Sequence, residues 1–421
     1  MDRLIVNPCT KPLSGTVQVS GMTKNAGLKQ MAASLLCKGK STLTNMTSVA
    51  DLSTMCELLE SIGVKVTKED DLTYSMDSSN DLKPEAPYEL VSKMRASINV
   101  LSPLLARVGH AKVSLPGGDN IGVRKLDMHF KALEKMGVTF DLDHGYIQAR
   151  ADKLIGARIV LEFPSVGATE NIITAGVLAD GQTVIENAAR EPEVRDLCNF
   201  LTKMGADING TGTSTITING VKELTPTSHA IVGDRIEAGT LLIACGIVGG
   251  EITLEGISVS DLEMVVLKLG DMGMKVSPTR NGIWAMAQTP LHCVDISTLP
   301  YPGFATDYMP MAIALLTTCE GTSIVTENIY DNRFGFTDEL IRMGADIRTE
   351  GRHCVIRGVE KLSGTQVRAN DVRAGAALAL AGLAATGTTT IHETLHVRRG
   401  YHDLAKSLTK LGADVSWEAD E

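Results

Sequence analysis

Residues 191–220, EPEVRDLCNFLTKMGADINGTGTSTITING, contain the pattern that decides the fold. Leu197 and Leu201 recur at helical spacing and predict an amphipathic helix over Glu193–Met204. Gly205 follows at the position of a helix C-cap glycine, and the alternating apolar residues beyond it predict strands joined by a hairpin. The segment therefore predicts a helix, a glycine stop and a strand pair.

An apolar residue followed by such a glycine occurs six times along the chain. The six glycines are spaced by 74, 68, 68, 71 and 68 residues, and a glycine followed by a short β-branched strand falls between them as a second marker. Two independent markers that share a period of about 70 residues indicate an internal repeat. The pairs are Ile62-Gly63, Met136-Gly137, Met204-Gly205, Met272-Gly273, Met343-Gly344 and Leu411-Gly412, and the second markers are GKSTLTN, GHAKVSL, GQTVIEN, GEITLEG, GTSIVTE and GTTTIHE.

Each repeat is predicted to be an α-β-α-β-β unit. A first apolar helix, such as 26–37 or 309–318, ends near the second marker, and a strand, a polar loop and the amphipathic helix follow. Crossover helices between strands imply partly parallel sheets with helices packed on them, so the fold class is α/β. A solenoid without a cleft is the alternative, but solenoid repeats are typically about 20 to 45 residues long.

The N-terminal segment is expected to complete the sixth repeat. The stretch IVNPCTKPLSGTVQVSGMTKNAG matches VIRGVEKLSGTQVRANDVRAG, which ends at Gly375, in its spacing of Leu, Gly and Val. We therefore expect one domain over residues 22–231 and another over 1–21 plus 232–421, each with three repeats. The default ligand site is a cleft between two such domains.

Composition and charge exclude several classes of function. The chain has 421 residues, 43% of them hydrophobic, and a net charge of −10, which fits a multi-domain globular protein and argues against a nucleic-acid partner. The eight cysteines contain no C-x-x-C, so we expect neither a disulfide framework nor a zinc site, and no cofactor is implied. With no export signal and no apolar run longer than 374–385, a cytoplasmic protein without a membrane segment is expected.

Polar residues concentrate before the predicted helices, where free N–H groups and the helix dipole favour anions. Basic residues there, on an acidic protein, indicate phosphate or carboxylate ligands. Taken singly, Asp234, Asp371 and Thr169 are better explained as helix caps, and Arg190 is also explained as a loop ion pair. The residues before first helices are Thr23-Lys24-Asn25, Arg95, Ser165-Val166-Gly167, Asp234-Arg235, Thr306-Asp307 and Asp371 with Arg373; those before second helices are Asp119 with Arg124, Arg190, Arg333 and Arg398-Arg399.

Ordered motifs run through these polar segments. They are a Lys-Asn pair after VSGMT, MRAS at 94–97, SLPGG at 114–118, IGVRKLD at 121–127, SVGAT at 165–169, NAAREPE at 187–193, DRIE at 234–237, ATD at 305–307, DNR at 331–333 and RGY at 399–401. The series resembles the UDP-N-acetylglucosamine 1-carboxyvinyltransferase family of enolpyruvyl transferases nearly end to end. This resemblance implies a two-domain inside-out α/β barrel of six repeats.

The resemblance also implies an activity. Members transfer the enolpyruvyl group of phosphoenolpyruvate to the 3′-hydroxyl of UDP-N-acetylglucosamine and release phosphate, as the first committed step of peptidoglycan precursor synthesis. The expected catalytic residues are Asp307 as general base, Asp119 as the acid that protonates C3 of phosphoenolpyruvate, Lys24 and Arg399. Expected substrate contacts are Asn25, Arg95, Arg124, Lys125, Leu126, Asp127, Met128, Ser165, Val166, Gly167, Ile329, Arg333 and Arg373.

Three positions depart from the family pattern. Asp119 stands where most members have the cysteine that the epoxide fosfomycin alkylates, so we expect insensitivity to fosfomycin. A free aspartic acid has a pKa of about 3.9 against about 8.5 for a thiol, so Asp119 needs a raised pKa to act as an acid near neutrality. One extra residue precedes Lys24, and Phe163 replaces a common lysine, which predicts one weaker contact to the diphosphate.

Three other functions remain open. A 5-enolpyruvylshikimate 3-phosphate synthase shares the fold and the donor, although NAAREPE and SLPGG are typical of the UDP-sugar branch. A non-catalytic UDP-sugar-binding paralogue would explain Asp119 but would have no use for Asp307 as a base. Transfer to a related nucleotide in antibiotic synthesis is excluded only weakly.

Overall fold

The structure, a computed structural model, describes residues 2–117 and 125–419. Shorter helical turns accompany its α-helices: a π-helical turn at Thr23–Gly27 and 3-10 turns at Ser34–Leu36, Arg95–Val100 and Val259–Asp261. The α-helices are α1 Leu28–Ala33, α2 Ala50–Ile62, α3 Tyr88–Val91, α4 Leu101–Val108, α5 Asp127–Lys135, α6 Val166–Gly176, α7 Pro192–Lys203, α8 Arg235–Val248, α9 Glu263–Asp271, α10 Met309–Leu316, α11 Thr337–Arg342, α12 Val372–Leu383, α13 Leu395–Gly400 and α14 Leu404–Lys410.

The strands are short and follow the helices in a regular order. They are β1 Arg3–Val6, β2 Leu13–Gln18, β3 Lys40–Thr44, β4 Lys65–Lys68, β5 Tyr74–Asp77, β6 Glu85–Ala86, β7 His110–Ser114, β8 Thr139–Asp143, β9 Tyr146–Arg150, β10 Arg158–Val160, β11 Gln182–Glu186, β12 Asp207–Asn209, β13 Thr215–Asn219, β14 Ser228–Ala230, β15 Gly250–Glu255, β16 Lys275–Pro278, β17 Gly282–Ala287, β18 Ile296–Ser297, β19 Thr322–Thr326, β20 Asp346–Glu350, β21 His353–Arg357, β22 Leu362–Ser363, β23 Gln366–Arg368, β24 Ala385–Thr386, β25 Thr389–His392 and β26 Val415–Glu418.

Within the described residues the strands form six four-stranded sheets, one per repeat, and one two-stranded sheet. Each four-stranded sheet has one parallel pair at an edge, which confirms the prediction of partly parallel sheets. The outer strand of each parallel pair precedes a first helix and is an element that the α-β-α-β-β pattern omits. It is two or three residues long in five sheets, whereas β2 has six residues. The orders are β6-β7-β9-β8, β10-β11-β13-β12, β14-β3-β5-β4, β16-β17-β15-β2, β18-β19-β21-β20 and β23-β25-β1-β26.

The six repeat glycines end the second helix of each repeat, as predicted. All six have a positive φ, for example +106° at Gly205, which residues with a Cβ rarely adopt. After α7 the N–H of Gly205 donates to the carbonyl of Thr202, and the next N–H, that of Ala206, donates to Leu201. This pair of bonds is the Schellman motif, which satisfies carbonyl groups at the end of a helix.

The first helix of the first repeat differs from its prediction. Residues 26–37 do not form one α-helix, because the chain passes from a π-helical turn at Thr23–Gly27 through α1 to a 3-10 turn at Ser34–Leu36. A π turn takes up one more residue than an α turn, and the extra residue before Lys24 falls at its start.

The N-terminal strands join two different repeats. β1 lies between β25 and β26 in the sixth sheet and is antiparallel to both, which confirms that the N-terminal segment completes the sixth repeat. β2 instead pairs in parallel with β15 of the fourth repeat, and β14 pairs in parallel with β3 of the first. β2 therefore precedes the first helix of the first repeat but lies in the sheet of the fourth, and β14 precedes α8 of the fourth repeat but lies in the sheet of the first.

The chain separates into two compact units. One contains the described residues up to Ser20 and from Gly233 onward, and the other those between Gly21 and Val232. In the first unit the buried helices α8, α10 and α12 pack on one another and on the strands of their own repeats. In the second, α4 packs on α6, and 3-10 turns join this pair to α1. No helix in the described part of the chain is long and apolar enough to cross a membrane.

Candidate active site

Asp307 lies between two buried arginines just before α10. Its Oδ1 atom accepts a hydrogen bond from Arg333 Nη2 at 3.0 Å, and its Oδ2 atom accepts one from Arg373 Nη2 at 3.2 Å. The side chains of Arg333 and Arg373 are 2% and 4% exposed, whereas that of Asp307 is 31% exposed. The two guanidinium groups therefore hold a carboxylate that remains accessible to a ligand.

The charge state of Asp307 follows from this arrangement. Burial opposes its negative charge, but Arg373 and Arg333 outweigh burial and hold the pKa of Asp307 well below its usual range. Asp307 is thus ionised at neutral pH and can accept a proton, although the arginines reduce its basicity. An anionic ligand that also contacted either arginine would weaken this effect and make Asp307 a stronger base.

Arg373 is positioned by the start of α12 and by Tyr401. Its guanidinium carbon lies 5.3 Å from the centroid of the Tyr401 ring, a cation–π geometry, and the Tyr401 hydroxyl is 2.9 Å from Thr240 Oγ1. Burial disfavours the positive charge, but Asp307 outweighs it and raises the pKa of Arg373. The guanidinium therefore stays charged inside the unit.

Three residues considered as helix caps have different outcomes. Asp371 Oδ1 accepts the N–H groups of Arg373 and Ala374 at 2.7 and 3.0 Å, and Asp234 caps α8 in the same way, so both are caps. The interpretation of Thr169 as a cap is wrong, because it lies inside α6 and its Oγ1 atom accepts the N–H of Ala189. Burial raises the pKa of Asp234 to about 6, against the opposing effect of Arg373.

Two further predicted residues lie in the same unit as Asp307. Ile329 is partly buried in the loop after β19, and its N–H donates to Glu327 Oε1 at 2.7 Å. Arg399 is partly buried in the short helix α13. The structure thus directly connects Asp307, Arg333 and Arg373, and links Ile329 to them through Glu327.

In the other unit, Lys24 and Asn25 lie in the π-helical turn that leads into α1. Lys24 Nζ is 3.5 Å from Asp51 Oδ2, and the two side chains are 20% and 10% exposed. Lys29 Nζ donates to the backbone oxygen of Asn25 at 2.8 Å and so fixes the end of this turn. The turn therefore contains a partly accessible cation, Lys24, followed by the partly buried Asn25.

The residues expected at the UDP-sugar site in this unit form two small groups. Arg95 Nη2 lies 3.5 Å from the carbonyl oxygen of Lys125, which joins the start of a 3-10 turn to the segment before α5. Leu126 is buried, while Asp127 and Met128 begin α5 and are partly exposed. Arg95 and residues 125–128 are therefore neighbours.

The second group surrounds the start of α6. Ser165 caps this helix, its Oγ atom accepting the N–H of Ala168 at 3.4 Å, and Val166 and Gly167 follow in the first turn. A Cβ on Gly167 would lie 3.2 Å from the His129 ring, so glycine permits close approach of α5. His129 Nδ1 is bonded to Asn171 at 2.8 Å, and burial, helped by Arg95, lowers its pKa to about 4. The imidazole is therefore neutral at neutral pH.

Two of the predicted site residues, Asp119 and Arg124, lie outside the described residues. Sequence reasoning missed two carboxylates that support the site, Asp51 and Glu327, since neither lies in the polar motifs that precede the predicted helices. Glu327 is the last residue of GTSIVTE, the second marker of the fifth repeat. A comparison of the last residues of the six second markers could have identified it. Among the described residues, no cluster of three or more His, Cys, Asp or Glu side chains could hold a metal ion.

Comparison with known sequences identifies the relatives of the chain. Residues 8–408 match the family model described as EPSP synthase (3-phosphoshikimate 1-carboxyvinyltransferase). The UDP-N-acetylglucosamine 1-carboxyvinyltransferase of Nitratidesulfovibrio vulgaris strain DP4 is 49% identical over 421 residues, which span 100% of both chains. UDP-N-acetylglucosamine 1-carboxyvinyltransferase 1 of Caldanaerobacter subterraneus subsp. tengcongensis is 48% identical over 405 residues, 96% of this chain and 97% of the relative.

Solved structures agree with the fold predicted from the repeats. The enolpyruvyl transferase NikO from Streptomyces tendae superposes with a TM-score of 0.89 at 27% identity, over 99% of this chain and 98% of that protein. EPSP synthase from Acinetobacter baumannii superposes with a TM-score of 0.78 over 100% of both chains, but at 18% identity it supports the fold alone. The chain therefore belongs to the EPSP synthase family of enolpyruvyl transferases, together with the UDP-N-acetylglucosamine 1-carboxyvinyltransferases.

Proposed function

We propose that the protein transfers the enolpyruvyl group of phosphoenolpyruvate to the 3′-hydroxyl of UDP-N-acetylglucosamine and releases phosphate. This reaction is the first committed step of peptidoglycan precursor synthesis, and a cytoplasmic location belongs to the same proposal. The observation that carries it is Asp307, an ionised carboxylate between two buried arginines in a chain whose relatives bear this activity in their names. A purely binding paralogue would gain nothing from such a base.

The proposed reaction begins with protonation of C3 of phosphoenolpyruvate, for which Asp119 is the proposed acid. Protonation gives an oxocarbenium-like centre at C2, which the 3′-hydroxyl attacks as Asp307 takes its proton. The C2–O bond to phosphate then breaks, and loss of a proton from C3 restores the double bond. Cationic side chains stabilise the negative charge on the departing phosphate.

Each of the two substrates has a set of proposed binding residues. Lys24, Asn25, Arg124 and Arg399 bind phosphoenolpyruvate. The UDP-sugar contacts Arg95, residues 124–128, Ser165, Val166, Gly167 and Ile329, and Arg333 and Arg373 orient Asp307 beside the acceptor hydroxyl. Support comes from the exposed edge of Asp307 and the partly accessible Lys24.

Phosphate release tests this function. Purified protein is incubated with phosphoenolpyruvate and either UDP-N-acetylglucosamine, shikimate 3-phosphate or no acceptor, and free phosphate is measured over time. Release that depends on UDP-N-acetylglucosamine is expected. Release only with shikimate 3-phosphate would favour the synthase alternative, and no release with either acceptor would refute the proposal.

Insensitivity to fosfomycin is part of the proposal. Asp119 replaces the thiol that the epoxide alkylates, and burial raises the pKa of every cysteine in the chain, so none supplies a reactive thiolate at neutral pH. The thiols with raised pKa values, all free and within the described residues, are Cys9, Cys37, Cys56, Cys198, Cys245, Cys293, Cys319 and Cys354.

Preincubation with fosfomycin should therefore leave the wild type active. The Asp119→Cys variant should be inactivated with time and gain the mass of one fosfomycin molecule. Time-dependent inactivation of the wild type would contradict the proposal, as would an Asp119→Cys variant that forms no adduct.

A further inference from the structure

Glu327 is a buried carboxylate in the first position after β19, and its side chain joins two loops. It is 1% exposed. Its Oε1 atom accepts the N–H groups of Ile329 and Tyr330 at 2.7 and 3.0 Å, and its Oε2 atom accepts the hydroxyl of Thr306 at 2.7 Å. One carboxylate therefore ties the loop that holds Ile329 to the turn that holds Asp307.

The hydroxyl of Thr306 has a fixed direction in this arrangement. Its oxygen accepts a hydrogen bond from Arg333 Nη1 at 2.7 Å. A hydroxyl has only one proton to donate, and a guanidinium cannot accept it. The proton therefore points to Glu327, whose negative charge makes this the stronger, charge-assisted kind of hydrogen bond.

Arg333 connects Thr306 to Asp307 by hydrogen bonds. The guanidinium donates through Nη1 to Thr306 and through Nη2 to Asp307 Oδ1 at 3.0 Å. Its carbon atom also lies 5.4 Å from the ring centroid of Tyr330, whose backbone is held by Glu327. Glu327 thus acts on Arg333 from two sides, through a hydroxyl and through an aromatic ring.

A comparison of the repeats shows that a buried carboxylate at the end of the second marker is particular to the fifth repeat. At four of the five other marker ends, Asn45, Asn187, Gly256 and Glu393 have positive φ values between +57° and +79° and serve as turn residues, and the fifth end is the apolar Leu115. Glu327 instead directs a buried side chain into the polar network of the candidate site.

We propose that Glu327 is a positioning residue, which orients Asp307 through Thr306 and Arg333 and sets the Ile329 loop. This inference rests on the proposed function, in which Asp307 is the base and Ile329 contacts the UDP-sugar. Loss of the carboxylate then lowers kcat and raises the KM for UDP-N-acetylglucosamine. The KM for phosphoenolpyruvate is expected to stay unchanged, because the carboxylate of Glu327 bonds to Thr306, Ile329 and Tyr330.

A merely structural role for Glu327 gives a different pattern. Arg352 braces the same loop from outside, with Nη1 donating to the carbonyl oxygen of Asn328 at 3.0 Å and an ion pair to Asp331. Both ionic side chains are largely exposed, at 47% and 71%. Arg352→Gln therefore loosens the loop without touching Thr306 or Arg333, and serves as the matched control.

The test measures kcat and both KM values for the wild type, Glu327→Gln, Thr306→Val, their double variant, Thr306→Ser and Arg352→Gln. Because a misplacement of about 1 Å costs on the order of a hundredfold in rate, we expect kcat to fall about 10- to 100-fold in Glu327→Gln and in Thr306→Val. The double variant should be no slower than the slower single variant, since both changes break one chain of contacts. Thr306→Ser retains the hydroxyl and should recover most of the kcat that Thr306→Val loses, and Arg352→Gln should keep the wild-type kcat.

Three results would overturn the inference: an unchanged kcat in Glu327→Gln, multiplicative losses in the double variant, or an equal loss in Arg352→Gln. Thr306→Val and Thr306→Ser test the same chain of contacts if Glu327→Gln does not fold. A wild-type protein that releases no phosphate overturns the proposed function itself, so the two failures are distinguishable.

Discussion

Replacing Asp307 by asparagine should lower both stability and turnover. The change keeps the size of the side chain but removes the negative charge between Arg333 and Arg373. Both arginines are buried, so each would retain a desolvated positive charge without its counterion. The asparagine oxygen can accept from one guanidinium, but its amide hydrogens would face the other.

The size of the effect follows from the two contacts. A hydrogen bond to a charged group contributes about 1.5–3 kcal/mol, and one of the two is lost outright while the other loses its charge. We expect the free energy of unfolding to fall by about 2–4 kcal/mol, below the value for a fully buried pair because Asp307 is partly exposed. In a unit of about 200 residues this lowers Tm by roughly 4–16 °C.

Urea unfolding followed by circular dichroism measures the stability, and phosphate release measures turnover. Loss of a general base should lower kcat by about 10²–10⁴-fold. Asp346→Asn is the matched control, because Asp346 pairs with Arg357 at 3.0 Å with both side chains more than half exposed. Such a pair contributes at most about 1 kcal/mol, and its loss should leave kcat unchanged.

An Asp307→Asn variant that is as stable as Asp346→Asn and turns over like the wild type would refute both roles of Asp307. In that case the buried arginines would not need the carboxylate, and Asp307 would not be the base. If the variant loses stability but turns over normally, the stabilising role of the two ion pairs is supported, whereas the assignment of Asp307 as the base is refuted.

Two further predictions concern pH and the repeat glycines. The pKa of His129 is about 4 in the folded protein, against about 6.5 in an unfolded chain, so its contribution to stability is complete above pH 6.5 and should fall by about 3 kcal/mol as the pH drops to 4. Urea unfolding across this range should show that the free energy of unfolding falls more steeply with decreasing pH in the wild type than in His129→Gln. An equal dependence on pH in the two proteins would argue against a neutral buried histidine. Gly205→Ala should cost about 1 kcal/mol through its φ of +106° alone, since no atom lies within 4 Å of the added Cβ. Gly270→Ala, in helix α9 and equally uncrowded, should stabilise by about 0.5–1 kcal/mol, and a Gly205→Ala change of the same sign would contradict the C-cap assignment.

Much of the fold is predictable because its signals are local. A helix of period 3.6 that ends at a glycine can be recognised from neighbouring residues, and the positive φ at Gly205 is the backbone property that requires glycine there. The repeat then predicted that β1 completes the sixth sheet. The first helix was predicted less well, because residues 23–36 change from π to α to 3-10 geometry, and tertiary contacts set such changes.

The site was predictable only as a set of residue types. Motifs and helix starts indicated Asp307, Arg333 and Arg373 as candidates, but their contacts join positions 26 and 66 residues apart in the chain. No periodicity specifies which side chain meets which across such distances. The caps Asp234 and Asp371 were recognisable because a cap bonds to N–H groups two and three residues away.

The sequence by itself determined the six repeats, their glycine stops, the closure of the sixth repeat by β1, and the residue types available for an anionic ligand. These features depend on interactions between residues close in the chain, or on a pattern that repeats. Only the tertiary structure decided that β2 joins β15, that Asp307 lies between two buried arginines, and that Glu327 orders the hydroxyl of Thr306. The physical reason is that hydrogen bonds and ion pairs act over a few ångströms, so their partners exist only after the chain has folded.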